Sequence, residues 1–223
     1  MSIPIVVVCL TYQRTAYAVK TIRAFRQLAR YDDLRWYVAD DGSAHEHYVS
    51  VHQALEGCQI SGSHHERIGY GAGANRGIAA ARAQRALMFF LEDDWQLLEP
   101  LDLNPFAELL QTNPSIGMVR MGYLVAGATG RLFAQQGQLY WRLQRQCQPT
   151  TEEDLVFTGH PSLRHARLHD DYGLYAEGLL PGDTELEFAQ RVRAAQTGCD
   201  IVWPAMFPAQ GVFGHIGITR SYT

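Results

Sequence analysis

The chain has 223 residues, 47% of them hydrophobic and 19% charged, with a formal net charge of −4 at pH 7. This is an ordinary globular composition, long enough for one domain or two closely fused halves around a sizeable core. It excludes a spanning helix, since no apolar run reaches about 18 residues, and its acidic balance argues against a general polyanion binder.

The opening MSIPIVVVCLTYQR lacks a basic region and a small-residue cleavage site, so it reads as a core strand rather than a signal peptide. Within it, IPIVVVCL (3–10) is a continuous β-branched run, as a strand covered on both faces requires. TAYAVKTIRAFRQLAR (15–30) places Ala18, Ile22, Phe25 and Leu28 at helical spacing. LRWYVAD (34–40) predicts a second strand, AHEHYVSVHQAL (44–55) a helix, and CQISG a short strand. GANRGIAAARAQRA (73–86) predicts an Ala-rich helix and LMFFL (87–91) the next strand. This alternation predicts an α/β fold whose parallel strands are joined by right-handed crossovers. NPFAELLQ (104–111) predicts a short helix, IGMVRMGYLV and GQLYWRL strands, and PSLRHARL (161–168) a short helix. DTELEFAQRVRAAQTG (183–198) predicts a helix capped by Asp183 or Thr184 and ended by Gly198. DIVWP is a final strand. Cys9, Cys58, Cys147 and Cys199 form no CxxC, and are expected as reduced thiols in a cytoplasmic protein.

Open parallel α/β sheets bind ligands beyond the carboxyl ends of their strands. Three polar stretches fall at such ends: TYQRT after the first strand, DDGS after the second, and EDDW after LMFFL. Glu92, Asp93 and Asp94 follow five apolar residues with no nearby basic residue in sequence. Adjacent carboxylates repel one another, and a divalent cation relieves that; hard oxygen ligands suit Mg²⁺ or Mn²⁺. The alternative is a solvated acidic turn. The glycines at 69, 71, 73 and 77 do not give GxGxxG, which argues against a dinucleotide-binding fingerprint. A helix N-terminus aimed at a diphosphate is still compatible with them.

TYQR, DDGS, GANRGIAAA and the acidic triplet together resemble the GT-A-fold glycosyltransferases of family 2, over about residues 3 to 95. In that family the segments read roughly T-x-N-R, D-D-G-S, A-x-N-x-G and D-x-D. Here Gln13 stands where Asn is usual, and Glu-Asp-Asp where Asp-x-Asp is usual. The resemblance implies a GT-A-like, Rossmann-like, mostly parallel sheet flanked by helices, with a smaller mixed acceptor-side region. It implies one domain over 1–223, with a nucleotide-sugar half (1–115) and an acceptor half (116–223).

The same resemblance implies roles. Thr11, Tyr12 and Arg14 would line the nucleoside pocket. Asp40 or Asp41 would bond base or ribose, and Asn75 and Arg76 would sit beside the nucleotide or sugar. Asp93 would face ribose or sugar, and Asp94 would hold the metal, Mn²⁺ or Mg²⁺, with His215 as a late ligand. The family's acidic helix start maps imperfectly onto GDTELEFAQRV, leaving Asp183 or Glu185 as catalytic base. The implied activity is metal-dependent sugar transfer from a nucleotide sugar, UDP-linked, to an acceptor hydroxyl with inversion.

A nucleotidyltransferase is the alternative enzyme, but LTYQRT has none of the glycines of its usual first loop. A non-catalytic nucleotide- or glycan-binding module is the alternative of another class. His165 and His169, four apart and followed by Asp170 and Asp171, offer a second metal site and a rival hydrolase reading, against the preferred reading as polar surface of an acceptor loop. Residues 120–167 carry six Arg against three acids. With Trp141, Arg142 and Arg145 among them, they suggest a phosphorylated or nucleic-acid acceptor, against a glycan stacked on Tyr140 and Trp141 or a small molecule.

Overall fold

The computed structural model describes residues 3–124, 130–144 and 156–217. Strand β1 (Ile5–Thr11) is buried along its whole length. Its side chains alternate between two cores. Ile5, Val7 and Cys9 pack with Ile22 and Phe25 of α1 (Thr15–Leu28) and Val51 of α2 (His45–Ala54). Val6, Val8 and Leu10 pack with Ala74 and Ile78 of α3 (Tyr70–Ala83) and Phe188 and Val192 of α6 (Pro181–Ala194). Burial on both faces is the reason the run carries no polar alternation.

The other strands are β2 (Ala29–Arg30), β3 (Leu34–Asp40), β4 (Gln59–His65), β5 (Leu87–Glu92), β6 (Trp95–Leu97), β7 (Leu101–Asp102), β8 (Ile116–Arg120), β9 (Gly130–Gln135), β10 (Gln138–Leu143), β11 (Ser162–Arg164), β12 (Asp200–Pro204) and β13 (Phe213–His215), and the remaining helices α4 (Asn104–Thr112) and α5 (Arg167–Tyr172). Nine strands make one sheet in the order β4-β3-β1-β5-β11-β8-β12-β10-β9. The pairs β3–β4, β1–β3 and β1–β5 are parallel, as the alternation of the first half predicts. Beyond β5 the sheet is mixed: β11 lies antiparallel to both β5 and β8, and β12 returns parallel to β8. The predicted division near residue 115 therefore falls within a continuous sheet.

Three expected elements differ. Residues 161–168 are not a helix: Ser162–Arg164 form a fully buried strand, and the helix starts only at Arg167. The pattern hid this because Arg164 is 0% exposed. Its guanidinium donates to Tyr175 Oη at 2.5 Å and lies 3.9 Å from the Phe90 ring, partners that only the fold supplies. Helix α6 begins at Pro181, so neither Asp183 nor Thr184 is its N-cap, and it ends at Ala194. Helix α3 begins at Tyr70, which puts Gly71, Gly73 and Gly77 inside it. A Cβ on Gly71 would lie 2.1 Å from the Ala176 carbonyl oxygen, and one on Gly77 2.4 Å from Val8 Cγ1. Gly71 and Gly77 let the helix pack tightly against the segment around Ala176 and against β1.

Candidate active site

Alternation along β5 decides where the acidic triplet points. Leu87, Phe89 and Leu91 belong to the α1 side, and Met88 and Phe90 to the α3 side. Glu92 continues the second set, and Asp93 and Asp94 turn back toward the end of β1. One run of three acids thus serves two places.

Asp93 is held from β1. The Thr11 hydroxyl donates to its Oδ2 at 3.0 Å and the Tyr12 N–H at 3.1 Å, and Arg14 forms an ion pair with Oδ1. The Thr21 hydroxyl donates to the Asp93 carbonyl at 2.9 Å. Thr11 has one proton and gives it to Asp93, so at its other contact it accepts from His47 Nε2, at 2.9 Å. Burial lowers the His47 pKa, so the ring is neutral and its Nδ1 accepts from the Thr15 hydroxyl at 3.0 Å. Burial pushes Asp93 up to about 6 while Arg14 pulls it down, leaving it ionised at neutral pH. Gln13, between these ligands, takes φ 58°, the left-handed region that Asn tolerates better, which accounts for the Asn usual at this position in the resembling family.

Asp94 meets its partners from the opposite end of the chain. β13 pairs antiparallel with β6, setting His215 opposite Trp95. His215 Nε2 lies 3.1 Å from Asp94 Oδ2, and Arg14 donates to the same oxygen at 2.7 Å. Asp94 Oδ1 is buried and has no partner. The acids therefore do have a basic neighbour, 80 residues away in sequence. A divalent cation fits this donor set: one carboxylate with an orphaned buried oxygen and one imidazole, the substrate's phosphates completing the shell as Mg²⁺ sites commonly require. Among the described residues no three His, Cys, Asp or Glu cluster to hold a metal on their own. Trp95 packs at a tilt against His215, Tyr123 and His160, and Tyr123 packs against His160, with ring centroids 4.3–5.8 Å apart.

Glu92 faces the base candidates. Its Oε1 accepts from Tyr70 Oη at 2.7 Å. Glu185 Oε1 accepts from the Gly159 N–H. A Cβ on Gly159 would lie 3.1 Å from Glu92 Oε1 and 3.3 Å from the Glu185 carboxyl carbon, so the two carboxyls face each other across a glycine. Burial, then the charge of Glu185, then that of Asp94 raise Glu92 to about 8, so it carries a proton at neutral pH. The buried Arg120 guanidinium, lowered to about 10 by burial, is held up by Glu185. Asp183, two residues before Glu185 on α6, is exposed. No spacing rule pointed to Tyr70, Gly159, Arg120 or His47; the alternation of β5 was the one available signal, and it concerned Glu92.

The remaining expected donor residues sit one step back. Asp40 Oδ1 accepts from the Ser43 N–H at 3.1 Å, and its Oδ2 lies 2.7 Å from His65 Nδ1. Asp41 accepts from the N–H groups of Ile68 and Gly69 at 2.8 and 2.6 Å, fixing the loop into α3. Asn75 clamps the segment around Tyr175 over α3: its amide donates to the Tyr175 carbonyl at 3.0 Å and its carbonyl accepts the Tyr175 N–H at 3.0 Å. Arg76 is exposed, 3.7 Å from Glu66. His165 and His169 do not converge: His165 Nδ1 accepts from the Arg167 N–H, and His169 is buried with Nδ1 on the Gly173 carbonyl. Asp170 pairs with Arg82 and Asp171 accepts from the Cys199 N–H. The arginines of 120–167 divide between interior and surface, and Arg131 on β9 is exposed. Arg120 and Arg164 are buried, Arg142 pairs with Asp200 at 3.1 Å, and Arg167 bonds the carbonyls of Asn113 and Ile116. Arg145 lies outside the described residues. Tyr140 is buried and Trp141 is 37% exposed.

A sheet of this order, with carboxylates gathered at its carboxyl edge and the acidic helix α6 beside them, is the GT-A architecture of the glycosyltransferases. Glycosyl transferase family 2 matches residues 6–173, more than half of the chain, and the chain belongs to that family. Solved structures agree in fold. The mannosyltransferase PcManGT from Pyrobaculum calidifontis, in complex with GDP-Man and Mn²⁺, superposes with a TM-score of 0.59 and 15% identity over 92% of this chain and 55% of its own. S. aureus TarS 1–349, in complex with UDP-GlcNAc, gives 0.61 and 11% over 94% and 60%. The chain thus spans between half and two thirds of these structures. No curated protein matches it. No helix among the described residues is long and apolar enough to cross a membrane.

Proposed function

We propose that this chain transfers a sugar from a UDP-linked donor to an acceptor hydroxyl, with inversion and with a divalent cation, Mn²⁺ or Mg²⁺. The observation that carries this reading is the meeting at one sheet edge of the Asp93–Asp94 pair and Glu185, with Glu92 between them under the charge of both. Nucleotide sugars in PcManGT and TarS, and Mn²⁺ in PcManGT, support it.

In this reading Thr11, Tyr12 and Arg14 line the donor site, Asp93 takes ribose or sugar, and Asp94 with His215 holds the cation. A cation held there would supply positive charge to the leaving diphosphate. Glu185, bonded to the Gly159 N–H and beside Arg120, takes the proton of the acceptor hydroxyl. The acceptor oxygen bonds to the anomeric carbon as the sugar–phosphate bond breaks, and a nucleoside diphosphate departs. One base and one displacement invert the configuration. Asp40, Asp41 and Asn75 hold the loops around the donor. Arg120, Arg164 and Arg167 bond within the fold, so the count of arginines in 120–167 overstates the charge at its surface, and a glycan or other neutral hydroxyl acceptor is favoured over a polyanion.

The test is to incubate the purified protein with UDP- and GDP-sugars and Mn²⁺, and to measure nucleoside diphosphate release. Release with a UDP-sugar and Mn²⁺ is expected, even to water as acceptor. Thermal stabilisation by donor without any release, over a panel of acceptors, supports a non-catalytic binding module instead. Neither stabilisation nor release overturns both.

A further inference from the structure

Two observations about Asp94 pull in different directions. Its Oδ1 is buried without a partner, an opening for a cation. Its Oδ2 is already taken: Arg14 donates to it at 2.7 Å, and His215 Nε2 lies 3.1 Å away. The wall behind is closed as well. A Cβ on Gly217 would lie 2.3 Å from Asp94 Oδ2 and 2.9 Å from Arg14 Nη1, so only a glycine passes there. The same guanidinium grips Asp93 with its other nitrogen, forking the two carboxylates. Arginine is suited to this role, because its charge is permanent and its planar fork spans two oxygens.

We infer that Arg14 competes with the divalent cation for Asp94: in the donor-free protein its guanidinium is the cation of the site, and a metal ion enters only as Arg14 gives up that carboxylate. The inference rests on the metal reading above and adds to it an antagonist built into the chain. Two positive charges sharing one carboxylate in a partly buried site repel strongly. A resting place for the freed side chain exists, because the Arg14 guanidinium carbon already lies 5.9 Å from the centre of the Tyr17 ring on α1. Incoming phosphates offer it a second. The arrangement makes the empty enzyme a weak metal binder and ties metal entry to the arrival of the diphosphate.

Manganese binding measured by electron paramagnetic resonance, without nucleotide, tests this independently of turnover. The set is the wild-type protein, Arg14→Gln, Arg14→Lys and Asp94→Asn, each checked for folding by circular dichroism. The wild type should bind Mn²⁺ weakly, Arg14→Gln at least about tenfold more tightly, and Asp94→Asn not at all. Arg14→Lys keeps the charge and loses the fork, so its affinity should fall between the first two; it carries the test should Arg14→Gln not fold. Equal affinity in the wild type and the folded Arg14 variants overturns the competition and leaves the metal site standing. If none of the four binds Mn²⁺, with or without added UDP, the metal reading falls and the inference with it.

Discussion

At the scale of single residues, the two acid pairs make separable predictions. Asp94→Asn removes the charge at the cation site but leaves β5 untouched, because the residue lies beyond the strand's last residue, Glu92. Metal-dependent donor binding should be lost with an unchanged circular dichroism spectrum; normal turnover of the variant in Mn²⁺ would show that Asp94 is no ligand. Glu185→Gln and Asp183→Asn should differ sharply. Glu185 is part buried, bonded to Gly159 and beside Arg120, whereas Asp183 is exposed. Glu185→Gln should lower kcat by roughly 10²–10⁴-fold, the usual worth of a general base, with donor KM little changed. Asp183→Asn should stay within about a factor of three, since an acid in the first turn of a helix contributes only a few tenths of a kcal/mol. The reverse order of effects would move the base to Asp183. The sequence narrowed the base to these two and could go no further. They stand two apart on one helix turn, and which of them faces inward depends on a helix start that Pro181, not an acidic cap, sets.

At the scale of elements, legibility followed burial. β1, β3 and β5 were readable because strands covered on both faces are uniformly apolar. β11 was not, because its three residues include an arginine buried by partners from distant segments. The β6–β13 pairing that sets His215 beside Asp94 joins three-residue strands across more than half the chain, and no local pattern marks it. Packing requires glycine at some helical positions and not at others, and two substitutions separate the cases. Gly77→Ala sets a methyl 2.4 Å from Cγ1 of Val8, a β-branched side chain on a central strand that cannot rotate away, so the helix itself must shift. A loss of about 1–3 kcal/mol, seen as a lower denaturation midpoint, is expected. Gly182→Ala, in the first turn of α6 with nothing within 4 Å of the new Cβ, should be neutral or raise stability by about 0.5–1 kcal/mol. Equal outcomes at the two positions would mean that the close approach of α3 to β1 is not what requires glycine at 77.

At the scale of the whole molecule, the buried titrating groups give stability a pH dependence with two opposed arms. His160 and His169 are held neutral by burial, with pKa values lowered from 6.5 to about 2 and about 3. The unfolded chain binds their protons more readily, so their contribution is complete above pH 6.5 and is lost as pH falls toward those folded values. Glu92 acts in the other direction. Its pKa is raised from 4.5 to about 8 by burial and by the charges of Glu185 and Asp94, so the folded protein holds a proton that the unfolded chain has released. That contribution is complete below pH 4.5 and is lost as pH rises through about 8. Glu92→Gln isolates this arm, because the amide oxygen still accepts from Tyr70 and the group no longer titrates. Part of the Glu92 side chain reaches solvent, and screening limits its cost to roughly 1–2 kcal/mol. The Tm of Glu92→Gln should therefore match that of the wild type near pH 4.5 and exceed it by about 2–8 °C at pH 8, the gap opening steadily between them. The measurement is a pair of thermal melts at half-unit intervals of pH. A gap that is constant across the range would place Glu92 among the ionised carboxylates, and the two facing acids would then need a second counter-charge besides Arg120.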